Sequence, residues 1–369
     1  MNIRTLFLAT CLLHPLAQVQ AASLEVTTIQ LRAALGDVQS LVLLGNRYYH
    51  GNGLSQDFGK ALDAYREAAD AGDAKAQLYL AGMYYSGKGV AANLETAADW
   101  YRKSAGQGDS QAQLQLAAMY LYGKGVPQDL AQAADWYRKA AEQGDAVAQH
   151  YLASLYYHGK GVSKDLAQAM GWYRKAAEQG DAEAQRHLGN MYSAGKGAPA
   201  DLAAAAHWYR QAAEQGDALA QLSLGKMYAL GKGIPLDLTQ AASWLRKSAE
   251  QGNAEAQSGI GLMLYRGIGM EQDYPQAANW FRKAAEQGDA RGQAFLGGMY
   301  YKGHGVAPDK AQAYAWISLV TTSDKPLPPE AQQLADKALG QMDAELAAED
   351  LARAKDLARE YAEKYRRAG

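Results

Sequence analysis

A Gly-Asp pair, replaced once by Gly252-Asn253, returns at one unbroken interval along this chain: Gly36, Gly72, Gly108, Gly144, Gly180, Gly216, Gly252 and Gly288, each 36 residues after the last. A fixed period between about 20 and 50 residues marks a solenoid, because one such repeat is too small to bury its own apolar face and must stack on its neighbours. A chain of 369 residues would otherwise suggest two or three globular domains. Here the core is expected to grow along an axis, which argues for a binding scaffold before any site is considered.

Within one repeat, Gly108 to Gln143, the pattern reads as two helices. The first is expected from about Asp109 to Tyr122, with Asp109 as N-cap and Ala112, Leu116, Met119 and Tyr120 at helical spacing. Gly123 and Gly125 stop it. Asp129 caps the second helix, and Gln132 three places on makes a capping-box-like pair that returns as Asp165/Gln168, Asp237/Gln240 and Asp273/Gln276. Gly144 then ends that helix as a left-handed cap and the cycle restarts.

All seven tryptophans (100, 136, 172, 208, 244, 280 and 316) hold one place in successive repeats. They read better as wedges between repeats than as a stacking ladder for bases or sugars, since a recurring alanine (Ala61, Ala97, Ala133, Ala169) lies one turn before each equivalent place. The first repeat has Ala64 there, and the eighth has Ile317-Ser318 where others have Tyr-Arg, as terminal repeats should differ. An extra helix at 24–35 is expected at the front, and two helical stretches, about 330–342 and 343–366, after Pro326-Leu-Pro-Pro329 at the back, carrying a small stripe of Leu346, Leu351, Ala354, Leu357 and Tyr361.

The run A-Q-x-x-L-G-x-M-Y-x-x-G-K-G-V-x-x-D-L-x-Q-A-x-x-W-Y-R-K-A-A-E-Q-G-D resembles the Sel-one-like repeat, a tetratricopeptide relative, in eight copies from Gly36 to Ser323. The resemblance implies an all-α fold in which eight helical hairpins wind into a right-handed superhelix, with first helices lining the inner surface. It also implies adaptor roles in signalling, envelope assembly and secretion, without chemistry or cofactor. Penicillin-binding or weak β-lactamase activity goes with relatives that carry paired cysteines in each repeat, and this chain lacks them.

Places that vary between repeats show where recognition can reside. The fourth, seventh, eighth and eleventh places share one face of each first helix. That stripe holds Lys75, Leu78 and Tyr79, then Gln111, Leu114 and Gln115, then Val147, His150 and Tyr151. It continues with Glu183, Arg186 and His187, with Leu219, Leu222 and Ser223, and with Arg291 and Phe295. Aromatics and arginine among polar neighbours have the composition of interface anchors. A loop column, Lys88, Lys124, Lys160, Lys196 and Lys232, reads as solvated charge pairing loosely with Asp and Glu of adjacent turns, and the arginines from Arg66 to Arg282 as packed or ion-paired stems.

Enzyme motifs fail on context. Gly82 to Lys88 imitates a phosphate loop but puts Gly89 at the magnesium-binding hydroxyl, and Ser193 to Lys196 imitates Ser-x-x-Lys without its companions. Glu183, His187 and His150 suggest solvated or interface side chains ahead of a metal site. With 37 basic against 39 acidic residues there is no electrostatic ground for a nucleic-acid partner.

The first 21 residues read as a signal peptide: Asn2-Ile3-Arg4, an apolar stretch from Thr5 to Leu13, and a small-x-small ending at Val19-Gln20-Ala21. Thr10 spoils a lipobox around Cys11, the chain's one cysteine. The expected division is a leader at 1–21, a capping helix at 22–35, repeats at 36–323 and capping helices at 324–369. The expected function is a periplasmic scaffold binding a protein on its concave stripe, with no membrane span, small-molecule substrate, metal or cofactor. From the resemblance, some exported members are immunity proteins that neutralise type VI secretion phospholipase effectors. The alternatives are an assembly factor for an envelope or exopolysaccharide complex and, in another class, a cell-wall or β-lactamase-like hydrolase.

Overall fold

The computed structural model describes residues 24–322 and 329–366; the expected leader, Cys11 and the Pro326–Pro328 break lie outside them. Every regular element among the described residues is a helix. The chain divides into two compact units, Met1–Gln179 and Gly180–Gly369. The first holds α1 (24–34), α2 (Val38–His50), α3 (Phe58–Asp70), α4 (Ala74–Ser86), α5 (Leu94–Gly106), α6 (Ser110–Tyr122), α7 (Leu130–Glu142), α8 (Ala146–His158) and α9 (Leu166–Glu178). The second holds α10 (Ala182–Ala194), α11 (Leu202–Glu214), α12 (Ala218–Leu230), α13 (Leu238–Glu250), α14 (Ala254–Arg266), α15 (Tyr274–Glu286), α16 (Ala290–Lys302), α17 (Lys310–Thr321), α18 (Pro329–Glu345) and α19 (Ala348–Arg366). In each, consecutive α/α hairpins stack in chain order, as a repeat solenoid requires.

The caps anticipated from the sequence set these boundaries. Asp109 accepts from Ala112 N at 2.9 Å, and Gly123 closes the same helix with φ +66°. Asp129 accepts from Ala131 N and Gln132 N, each at 3.0 Å. The capping box is only half used, because the Asp129 amide donates instead to Tyr120 O at 3.0 Å, tying the second helix to the first. Each such cap contributes ~1 kcal/mol. The second loop glycine has a different duty. A Cβ on Gly125 (φ +69°) would lie 2.2 Å from Leu94 O, so glycine lets the loop rest on the start of the preceding repeat's second helix.

The core shows one displacement from expectation. Trp100, Trp136 and Trp172 are only half-buried, and a lysine one turn on lies across each ring, Lys139 Nζ standing 3.9 Å from the Trp136 centroid. Trp100 and Trp136 do pack between hydrophobic clusters of successive repeats, and Trp172 packs on the cluster of α7 and α8. The fully buried wedge is the next residue along: Tyr65, Tyr137, Tyr173 and, in the second unit, Phe281. A cation over the indole closes the face that sugar or base stacking would need.

A buried polar ladder joins the repeats. Gln113 is 4% exposed, and its Nε2 donates to Ala105 O at 3.2 Å while its Oε1 accepts from Gln143 Nε2 at 2.8 Å. Gln143 also donates to Gly108 O at 3.0 Å. The same rung recurs at Gln107 and Gln77, at Gln179 and Gln149, and in the second unit at Gln251 and Gln221. Satisfied amides in a dry core fix register, because sliding one repeat against its neighbour by a residue or two would orphan several groups at about 1–3 kcal/mol each.

In the second unit α18 and α19 pack on α17. Trp316, 3% exposed, lies against Tyr361 and Tyr365 of α19 with centroids at 4.7 and 5.2 Å. Tyr361 donates to Gln312 Oε1 at 2.6 Å.

Candidate functional site

The face predicted for recognition must be taken separately in the two units. In the first, α2, α4, α6 and α8 offer sixteen places of the four-fold stripe, and Lys75 is the only lysine, arginine or carboxylate among them. Lys75, Gln111, Gln115 and Val147 are exposed, Val147 at 46%. Leu43, equivalent in place to Tyr79, is 50% exposed. Leu78 departs from the prediction: it is 8% exposed and belongs to the core of α4, α5 and α6.

Tyr79 and Tyr151 are half-buried, because the eighth place of a first helix leans on the ring of the preceding second helix. Tyr79 lies 5.2 Å from Tyr65, and Tyr151 stacks on Tyr137 at 5.2 Å with planes 15° apart. His150 meets Tyr151 and Tyr173 edge-on at 5.6 Å. These rings make a firm floor with one face covered. They are packed first and exposed second, so their truncation tests stability as much as binding.

The second unit's stripe is charged and largely paired within itself. Arg186 is 14% exposed, with Nε 3.0 Å from Asp217 and Nη2 3.3 Å from Glu183, whose carboxylate also lies 3.7 Å from His187. Lys226 bonds Glu255 at 2.5 Å from α12 to α14. Arg186 is therefore a brace between α10 and the cap of α12, not an open anchor. Leu219 is 48% exposed, Leu222 is buried, and Arg291 is exposed. Phe295 is half-buried, stacked on Phe281 at 4.9 Å.

The loop column departs from the expected pairing with acids. Lys88 Nζ lies 3.0 Å from Tyr49 OH and Lys124 Nζ 3.4 Å from Tyr85 OH, each reaching back to the preceding repeat. In the second unit His304 takes that place and meets Tyr265 OH at 3.1 Å. The arginine column is as read: Arg102 bonds Asp99 at 2.6 Å and donates to Tyr120 OH at 3.3 Å, and Arg138 repeats the pattern with Asp135 and Tyr156. The ladder glutamines stand in the repeat motif without a role that helical spacing assigns; a polar residue recurring at one place with apolar neighbours is the signal that marks them.

Among the described residues no three His, Cys, Asp or Glu side chains gather as a metal site, and no helix is long and apolar enough to cross a membrane.

The Sel1 repeat matches the chain eight times, at residues 38–73, 74–109, 110–145, 146–181, 182–217, 218–253, 254–289 and 290–319. A Sel1 repeat protein from Oxalobacter formigenes is 35% identical with a TM-score of 0.64, covering 85% of this chain and 89% of that one. A protective antigen of uropathogenic Escherichia coli with an SLR fold is 31% identical with a TM-score of 0.58, covering 92% of this chain and 95% of that one. An immunity protein from Pseudomonas aeruginosa is 23% identical over 64% of this chain and 82% of that one, with a TM-score of 0.33, too remote to bear on function. No curated protein matches the chain. With the repeat spanning residues 38–319 in tandem, and two solved relatives alike over most of their length, the chain belongs to the Sel1 repeat family.

Proposed function

We propose that this chain is an exported scaffold of the bacterial envelope that binds a protein partner on the first-helix face of its first unit. The observation that carries the reading is the contrast between the stripes. In the first unit neutral amides, Val147 and Leu43 lie exposed beside half-buried tyrosines, whereas in the second the charges, Arg291 apart, are engaged in ion pairs. Interfaces concentrate affinity in aromatic and aliphatic anchors with few charges at their centre. Export rests on the signal-like residues 1–21.

The test is capture of the partner from envelope extract by wild type and by a Gln115→Glu, Val147→Glu variant. Both side chains are exposed, so folding is expected to be unchanged while affinity falls at least about tenfold. Equal capture by both proteins would remove the proposed face.

The narrower role is neutralisation of a secreted phospholipase effector, supported by the family resemblance. Inhibition of a lipase encoded beside this gene, by the purified chain and not by the variant, checks it. Neighbouring genes for polysaccharide synthesis would favour the assembly factor instead.

A further inference from the structure

We infer that α1 is a self-association helix, pairing antiparallel with α1 of a second copy. α1 ends at Gly36 as every second helix ends at its own junction glycine, and counting back 36 residues aligns Ile29 with Tyr65 and Val26 with Leu62. Val26, Ile29 and Ala33 are accordingly buried, and Arg47 holds Glu25 at 2.6 Å. α1 thus completes its own packing with its inner face.

Its outer face breaks the rule that every internal repeat obeys. Leu24, Leu31 and Leu35 are 72%, 65% and 80% exposed. The same places in the first three repeats are Lys60, Glu67 and Ala71, then Thr96, Lys103 and Gln107, then Gln132, Lys139 and Gln143. Only in the eighth repeat does leucine return, as Leu319, and there it is 6% exposed in the cluster on which Tyr361 and Tyr365 of α19 pack. Leucine at this place goes with a covering helix.

At about 100° per residue, Leu24, Leu31 and Leu35 fall within a sector of about 40°, the width of a coiled-coil seam. Thr28 sits within the seam with its hydroxyl satisfied by Leu24 O at 2.8 Å. Glu25 and Arg32, seven residues apart, flank one edge of the seam. In an antiparallel pair like edges meet with their ends reversed, so each Arg32 would face the partner's Glu25. A parallel pair has no such match. The stripe is complementary to itself, which selects a second copy as its occupant.

Sedimentation of protein expressed from its full coding sequence should show a reversible dimer. Leu31→Glu is expected to weaken the dimer by about a hundredfold, since two buried leucines are lost per dimer, with the melting temperature of the monomer unchanged. Arg32→Glu should weaken it and Glu25→Arg in the same chain should restore it. In a Cys11→Ser background, mixed Leu24→Cys and Leu35→Cys copies should form a disulfide that neither forms alone. A monomer at concentrations up to about 0.1 mM, or a dimer indifferent to Leu31→Glu, overturns the inference. So does a monomer in which a cysteine at position 31 resists thiol reagents, because the chain's own leading residues would then cover the stripe.

Discussion

At the scale of the residue, the second-helix tyrosines show how one place can carry two energetics. Tyr65 and Tyr209 donate to Asn46 and Asn190 at 2.7 Å, and both asparagines follow a glycine, Gly45 and Gly189, whose missing Cβ makes room for the ring. Where the pair is Ala117-Ala118, the Tyr137 hydroxyl is buried with no hydrogen-bond partner. Burial pushes the phenols of Tyr65 and Tyr137 well above their usual range, and that of Tyr101 up to about 12. Tyr209→Phe is therefore expected to cost about 1 kcal/mol, while Tyr137→Phe should be neutral or stabilising, as urea unfolding would show. Equal losses would mean that the asparagine bond contributes nothing. The ring's place was legible in the motif. Its deeper burial than the tryptophan beside it was not, because helical phase alone does not say which of two adjacent aromatics points inward.

Among the elements, α18 is held to the last repeat by a small charged latch. Glu345 accepts from Tyr301 OH at 2.7 Å and from Lys310 Nζ at 3.0 Å. In the first unit Tyr49 and Tyr85 meet a lysine of the following repeat, and at Tyr301 the final helices supply the contact instead. The Tyr301 hydroxyl, then Lys310, lowers the Glu345 carboxyl below its ordinary 4.5; Glu345 in turn raises the phenol and the ammonium. A depressed carboxyl contributes above its unfolded value and fails as pH falls through its folded one; the two raised groups contribute below theirs and fail on the alkaline side. Amide exchange in α18, corrected for intrinsic rates, should be slowest between about pH 5 and 10 and quicken at pH 4. Glu345→Gln should flatten the acid limb, and an unaltered limb would discard the latch. Sequence pattern revealed these helices by their apolar stripe, yet gave the break between them at Met342/Asp343, whereas α18 runs on to Glu345. A surface contact between Tyr301 and a residue 44 places away leaves no periodic trace.

On the scale of the whole molecule, what the sequence exposed best was what it repeats: the period, the caps and the junction glycines. Least legible was the character of each recognition side chain, since Leu78 and Leu222 share a stripe with exposed neighbours and yet belong to the core. The varying places report freedom from the repeat's own constraints, and that freedom is used for packing as readily as for partners. The ladder of glutamines carries a consequence for heredity. Each rung touches only its neighbours, so removing residues 108–143 joins Gln107 to Gly144 and lets Gln149 find Ala105 where Ala141 had been. Such a shortened chain should fold with one cooperative step and a proportionately smaller urea slope, while excision of half a repeat, 108–125, which sets two second helices in succession, should yield insoluble product. Gain or loss of copies by unequal crossing-over is thereby a conformationally silent event, and the gene can adjust the protein's reach by counting.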